Sequence, residues 1–459
     1  MWFFNKKKQD QLIQSLQKQD DQNYWAIVRR QFVKNRLAVW SLRFFMVIVF
    51  IAVFADFIAN EKPIYCSVKI TQTKENGQTE EVNKIIFPII HQYFVDFGLA
   101  KWDPAFLTGE WNAPKEGKFE YNFVIFPPIT YLPQKTDVSN STVGPWSKQQ
   151  LKKYKRRHFL GTDHMGRDVA SGMIHGTRIA MLVGLVSMSI ATFIGILLGS
   201  MAGYFGDERL KMPRIGILLN ILGLFGFIFF AFVIRGYQMG DNIGNGYMFY
   251  EMIFNFGLFF VVIISVNLLA SLFKNVPWVG TPVTIPIDII VMRMIEIVTS
   301  IPLLILILAI LAIIKTSSIF IVMAIIGTVS WTGIAKFIRA ELLRIRSLEY
   351  IEAAQAFGYA ESRIILRHAI PNALAPVLIA IAFGIASAIL TESFLSFIGI
   401  GVPPEQVTWG SLLSASRIAS IKAWWLALFP GVAIFISVTI FNLLGEGLTD
   451  ALDPRQKQD

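Results

Sequence analysis

The stretch EYIEAAQAFGYAESRIILRHAIPNALAP at 349–376 sets charged side chains beside very small ones, between two long apolar runs. Ile351, Ala354, Gly358 and Ile365 recur near one side at helical spacing, while Glu349, Glu352, Glu361 and Arg363 are more polar in their surroundings. An amphipathic helix is expected here. Ala353, Ala354 and Gly358 are small enough for another surface to approach closely. Pro371 cannot continue a helix without a break, so the chain is expected to turn there into the next apolar run. The chemistry of such a helix is mechanical: joined to two spans, it hands on the motion of anything that grips it. An ordinary amphipathic helix lying at a membrane surface fits the same pattern.

Two further patterns stand out. GTDHMGRD at 161–168 mixes glycines (Gly161, Gly166) with Thr162, Asp163, Arg167 and Asp168 just ahead of an apolar run. Thr162 or Asp163 is placed to cap a short interfacial helix, and a plain polar turn fits equally well. Further on, Gly195, Gly199 and Gly203 fall four apart, so they line one helix face and admit a second backbone. The neighbour is either in this chain or in another.

Catalytic constellations are missing from the sequence. It contains no GxxxxGK[ST] phosphate cradle, no GxGxxG after a strand, no GxSxG elbow and no HExxH. His91, His158, His164, His175 and His368 lack metal-ligand spacing, and Cys66 is the single cysteine, which excludes an intrachain disulfide or a cysteine metal cluster. No metal is expected. Glu296, Glu392 and Glu446 fall at expected span ends, where interfacial carboxylates are ordinary. No expected span carries a charge at its middle, which weakens a proton-coupled carrier.

The elements that must position these residues are membrane spans. Of 459 residues 54% are hydrophobic, only 16% are charged, and mean hydropathy is +0.52. Soluble domains carry about a quarter charged residues. Runs of about 20 apolar residues cross a bilayer, and eight are expected: 37–59, 179–204, 215–234, 252–273, 297–314, 316–335, 374–398 and 423–445. The fold class is therefore an all-α polytopic membrane protein. The first run starts too far in for a cleaved signal peptide and reads as a retained anchor. The net charge of +10 is explained by basic loops rather than by nucleic acid. Lys6, Lys7, Lys8, Lys18, Arg29, Arg30, Lys34 and Arg36 precede the first span, and Lys336, Arg339, Arg344, Arg346, Arg363 and Arg367 separate the sixth from the seventh. The positive-inside bias puts these on the cytoplasmic side with both termini.

The long region 60–175 is then external. Its aromatic and proline-punctuated pieces, IIFPIIHQYFVDFG and YNFVIFPPITYLP, suggest short strands and turns in a small subdomain, or else a long decorated loop. The third and fourth spans enter and leave on one side, as a hairpin inserted at 207–290 with a Pro- and Gly-rich linker.

EAAQAFG followed by HAIPNALAP resembles the EAA signature of permeases in binding-protein-dependent ABC importers. Glu352, Ala353, Ala354, Gly358 and Pro371 match in register, while His368 and Ile370 stand where the general signature has Ile and Leu. KNRLA (34–38), FLGTDHMGRDV (159–169), AGYFG (202–206), IPNA (370–373), LSFIGIG (395–401) and NLLGEGLTDALDPR (442–455) are similar to the dipeptide/oligopeptide branch, the OppC/DppC type. The likeness covers 25–59, 158–206 and 290–455. Residues 61–133 are similar to the enlarged loop of the subgroup linked to oligopeptides and microcin C. The hairpin departs from the six-span plan of the family.

The resemblance implies a type I importer core of six spans plus that hairpin, in a bacterial inner membrane. It divides the chain into a cytoplasmic segment (1–36), a first span (37–59), the external region (60–175), a second span (176–206), the inserted hairpin and linker (207–290), a core (291–449) and a cytoplasmic tail (450–459). It makes 349–366 a coupling helix whose Glu352, Ala353, Ala354 and Gly358 dock on a partner ATPase. It implies a second permease subunit, two ATPase subunits that hold ATP and magnesium, an external binding protein and a peptide substrate, with no cofactor and no catalysis in this chain. A carrier or channel working alone is the competing expectation.

Overall fold

A computed structural model of the chain describes residues 24–73, 79–102, 106, 111, 119–151, 153–236, 238, 242, 248–314, 318–403, 406–418 and 423–452. Lys6, Lys7, Lys8 and Lys18 of the leader, and 453–459 of the tail, lie outside these residues.

The elements run as follows. The chain begins with α1 (Tyr24–Lys34), α2 (Arg36–Val53) and the short α3 (Ala55–Ile58). Then come β1 (Tyr65–Thr73), β2 (Thr79–Ile86), α4 (Pro88–Asp96) and β3 (Phe119–Ile125). The second span is α5 (Val169–Ser200), which widens into a π turn at Met201–Phe205. β4 (Lys211–Pro213), α6 (Arg214–Ile228), α7 (Met248–Leu272) and β5 (Pro282–Thr284) make the inserted hairpin. The remainder is α8 (Ile287–Ser300), α9 (Leu303–Ile314), α10 (Ile319–Ile345), α11 (Glu349–Ala356), α12 (Glu361–Ile364), α13 (Ile370–Phe397), α14 (Trp409–Ile418) and α15 (Trp425–Leu452). Among the described residues seven helices are long and apolar enough to cross a membrane, and the bent pair α8–α9 makes an eighth if counted as one span.

That pair corrects the expected fifth span, 297–314. The helix starts at Ile287, ten residues earlier, and bends by 86° before α9. Ile301 is extended (φ −99°, ψ 130°) because Pro302 crowds the helical conformation of the residue before it.

The chain forms two compact units. The first comprises Met1–Met188, Ser318–Ile326 and Leu378–Asp459. In it, Asn35 caps α2 by accepting from the Ala38 N–H at 3.2 Å and also donates to Asp450 on α15 at 2.9 Å. A small subdomain between the first two spans holds an antiparallel sheet in the order β2–β1–β3, with Cys66 opposite both Ile86 and Val124. Alternate residues Cys66 and Val68 point into a core with Ile86, Phe106, Trp111 and Phe119. Burial pushes the Cys66 thiol up to about 12, so it is inert at neutral pH.

The second unit comprises Ser189–Ser317 and Gly327–Val377. Its hairpin helices α6 and α7 are joined by reciprocal amide hydrogen bonds of Asn220 and Asn267 (3.3 and 3.2 Å), and Gly223 lets Val266 close in. Amide pairs along a seam suit a helix pair in lipid, where no water competes for them. Arg235 pairs with buried Glu251 at 3.1 Å, and Asn242 donates to the same carboxylate at 2.6 Å. β4 and β5 pair antiparallel where the hairpin begins and ends, with Met212 opposite Val283.

Candidate functional site

The glycine face of the second span packs inside the chain, against α10. A Cβ at Gly195 would stand 2.7 Å from Ile334 Cβ, one at Gly199 2.6 Å from the Ala335 carbonyl oxygen, and one at Gly203 2.7 Å from the Arg339 carbonyl oxygen. Any side chain would drive the two backbones apart. Ala202, Trp331 and Ala335 fill the same seam with Val291 and Ile295 from α8. Arg339 holds Asp288 of α8 with both arms of its guanidinium, Nη2 to Oδ2 at 2.6 Å. This charge-assisted pair fixes α10 in place.

At the end of α10 the chain turns through Arg346, which reaches the Gly203 carbonyl at 3.5 Å, and enters α11. Ile351 is fully buried beneath it. Gln355 donates to the hydroxyl of buried Tyr204 at 3.3 Å, and Asn372 at the start of α13 donates to Tyr350 at 3.2 Å. The inner face of α11 is thus tied to two spans.

Its outer face is open. Glu352, Ala353, Ala356, Phe357, Gly358 and Tyr359 are exposed, and Phe357 is 82% exposed, unusual for so large an apolar side chain. Ala354 is half-buried.

The expected single helix over 349–366 is instead two. Gly358 has φ +75°, its N–H donates to Gln355, and the N–H of Tyr359 donates back to Ala354. This is the helix-ending pattern that glycine favours, so Gly358 terminates α11 and stands at a bend rather than on a helix face. Pro371 departs from expectation in the other direction. A continuous helical path runs from Glu361 to Phe397, with a π turn at Ile365–Ala369. Pro371 lacks an N–H and would crowd the carbonyl of residue 367, and the widened turn makes room for it. The chain passes through Pro371 without turning.

The GTDHMGRD motif forms a largely buried clasp in the first unit. Asp163 accepts from the N–H groups of Met165 and Arg167, both at 2.9 Å, and from Arg167 Nε at 2.7 Å. Gly161 and Gly166 adopt φ +80° and +78°, and a Cβ on Gly161 would collide with Trp425. Helix capping falls to Asp168, not to Thr162 or Asp163: it accepts from the Ser171 N–H at 2.6 Å at the start of α5, and its other oxygen holds His158 Nδ1 at 2.7 Å. Thr162 donates to the Asn140 carbonyl at 2.5 Å. These largely buried residues build the mouth of a span. Tyr204, Arg346, Asn372 and Trp425 were not singled out as site residues. AGYFG and IPNA, which contain Tyr204 and Asn372, were the only signals for two of them.

Glu392 on α13 is buried among protein side chains and accepts from Ser396 at 2.6 Å. Among the described residues no cluster of His, Cys, Asp or Glu is arranged to hold a metal ion.

Comparisons with known proteins agree with this arrangement. Residues 283–458 match the family model for the binding-protein-dependent transport system inner membrane component. Residues 23–74 match the N-terminal transmembrane domain of oligopeptide transport permease C. A permease protein of Brucella abortus named for a peptide transport system is 49% identical over 27% of this chain and 42% of its own length. The peptidoglycan transport system permease YejE of Agrobacterium fabrum is 27% identical over 93% of this chain and 92% of its own. The oligopeptide transport permease OppC of Haemophilus influenzae is 29% identical over 65% of this chain and 71% of its own. The match thus spans less than half the length of the Brucella relative and nearly all of YejE. With a helical core, a small sheet and both matched segments in order, this multi-pass chain is similar over 23–74 and 283–458 to the inner-membrane components of binding-protein-dependent transport systems, and by its OppC and DppC relatives to oligopeptide and dipeptide transport permeases.

Proposed function

We propose that the chain is the transmembrane permease subunit of an ATP-driven, binding-protein-dependent importer, and that its cargo is a peptide or a peptide-bearing molecule. The observation that carries this is the open face of α11. Phe357, Gly358 and Tyr359 project with Glu352 and Ala353, while Ile351, Gln355 and Tyr350 hold the element firmly from behind. A rigid support under an exposed aromatic knob suits a surface that receives force from a partner. The sequence contains no phosphate cradle, so ATP and magnesium belong to two partner ATPases and this chain is non-catalytic. Both termini lie on the ATPase side, in keeping with the basic loops. A second, related permease completes the pathway, and an external binding protein delivers cargo with help from residues 60–158. The names of the OppC and DppC relatives support the cargo class.

The test is made on the assembled transporter. Ala353→Arg puts a charge on the exposed face without touching the core. Phe357→Ala removes an anchor whose burial contributes about 2 kcal/mol, or roughly 30-fold in affinity for the ATPase. Both variants should insert normally and lose ATP hydrolysis stimulated by cargo-loaded binding protein. Full coupled hydrolysis by Ala353→Arg would sink the docking assignment. Purification as a lone chain that moves solute without ATP would replace the importer with a carrier.

A further inference from the structure

The external subdomain carries an apolar face unrelated to its core. Phe87, Ile90, Phe94 and Phe97 recur at spacings of three, four and three along and just beside α4, so they share one helical face. They are 48, 42, 50 and 77% exposed. Ile89 on the other side is buried. A nine-residue helix with its apolar stripe outward is inverted relative to a soluble domain.

Two observations fix what covers it. The first is position. Tyr93, next to the stripe, donates its hydroxyl to Asp56 Oδ2 at 2.5 Å. Asp56 lies three residues beyond Val53, where α2 ends its passage of the membrane. Arg178 grips the same carboxylate at 2.8 Å and the Ala52 carbonyl at 2.9 Å. α4 is therefore tethered at the level where a span leaves the hydrocarbon. Tyrosine is at home at that depth, with its ring in the apolar zone and its hydroxyl among polar groups.

The second is charge. A cavity of about 330 Å³ opens beside the stripe, lined by Phe87, Ile90, Phe94 and Trp102 with Lys84 and Lys101 at the same opening. Lys62 lies over the Trp102 ring at 5.1 Å. Cations flanking an apolar slot complement an anionic head on an acyl tail.

We propose that α4 is an interfacial helix that lies in the membrane leaflet which α2 leaves at Val53, and that the slot takes an anionic phospholipid. Phe94 and Phe97 enter the acyl boundary, and Lys84 and Lys101 face the phosphate. The external subdomain is thereby held down on the lipid surface beside the mouth of the second span. This rests only on α2 crossing the membrane and is independent of the transport assignment.

The test uses the full-length chain in nanodiscs. Cys66 is the single cysteine and is buried, so Cys66→Ala supplies a background for labelling. Bimane is attached at Phe94→Cys, at Phe97→Cys and, as a control on the exposed sheet, at Glu120→Cys. Quenching by doxyl-labelled lipid is compared with quenching by aqueous iodide. The labels at 94 and 97 should be quenched severalfold more by lipid than the control and shielded from iodide. The shielding should deepen when phosphatidylglycerol is mixed into phosphatidylcholine, and Lys84→Gln with Lys101→Gln should abolish that dependence. Labels at 94 and 97 as open to iodide as the control overturn the proposal. So does shielding that arises only when the binding protein or another subunit is added. Insertion that ignores phosphatidylglycerol overturns the assignment of the two lysines.

Discussion

The indole N–H of Trp425 donates to the backbone carbonyl of Thr162 at 3.1 Å, across 263 residues of sequence. It joins the first turn of the last span to the loop that opens the second. Both groups are buried, so neither can turn to water for a replacement partner. Trp425→Phe keeps most of the ring and strands the carbonyl. The expected cost is about 1–2 kcal/mol, read as a lower Tm of the full chain in detergent with no change in the exposure of α11.

The glycine seam predicts a sharp contrast between neighbouring sites. Gly199→Ala forces a methyl against the Ala335 backbone and should destabilise by about 1–3 kcal/mol through overpacking. Gly333 lies on α10 with nothing within 4 Å of an added Cβ. Gly333→Ala should be neutral or gain up to about 1 kcal/mol from helix propensity. Thermal unfolding of the two variants side by side checks this, and equal losses would refute close approach at Gly199.

Gly358 predicts a graded series. A side chain in the left-handed region costs about 1–2 kcal/mol, and Asn tolerates it better than Ala or a β-branched residue. Gly358→Asn should retain more coupled ATP hydrolysis than Gly358→Ala, and Gly358→Val least. An order unrelated to backbone preference would show that the position matters for space alone.

Asp137 predicts a pH response of the clasp. Burial alone pushes its carboxyl up, but hydrogen bonds from Ser139 and Asn140, with Lys155 nearby, outweigh burial and hold it below the usual carboxylate range. A carboxylate depressed by folding stabilises the native state above its unfolded pKa, and that contribution is lost as pH falls through the folded value. Backbone hydrogen exchange around residues 137–143 and 161–168 should therefore stay slow at neutral pH and quicken in acid below about pH 4. Asp137→Asn should flatten the response.

Most of the membrane architecture was legible because the bilayer leaves few choices. Apolar length alone located the spans, and GxxxGxxxG revealed a close-packed face though not its neighbour. Backbone detail at proline and glycine was less legible. Pro302 bent a span that hydropathy had placed as one straight run, whereas Pro371 was absorbed by a π turn and broke nothing. The distinction depends on whether the preceding turn can widen, which residue identity does not display. The motif pointed to Glu352, Ala353, Ala354 and Gly358 but not to Phe357 beside them, since an exposed phenylalanine has no signature until burial is known. GTDHMGRD was legible only as a capping or plain polar turn: that its side chains form the inside of a knot of hydrogen bonds depends on residues distant in sequence, such as Asn140 and Trp425.

The short ladder of β4 on β5 gives the inserted hairpin a closed neck. Pro213 faces Pro282 and Lys211 faces Thr284, so the two ends of a 70-residue excursion are held one strand spacing apart, about 5 Å. Seen from the rest of the chain, the insertion occupies no more chain path than a tight turn would. It is a cassette with its own door: excision between Pro213 and Pro282, closed by a Gly-Asn link, leaves the second span and α8 the same distance to bridge.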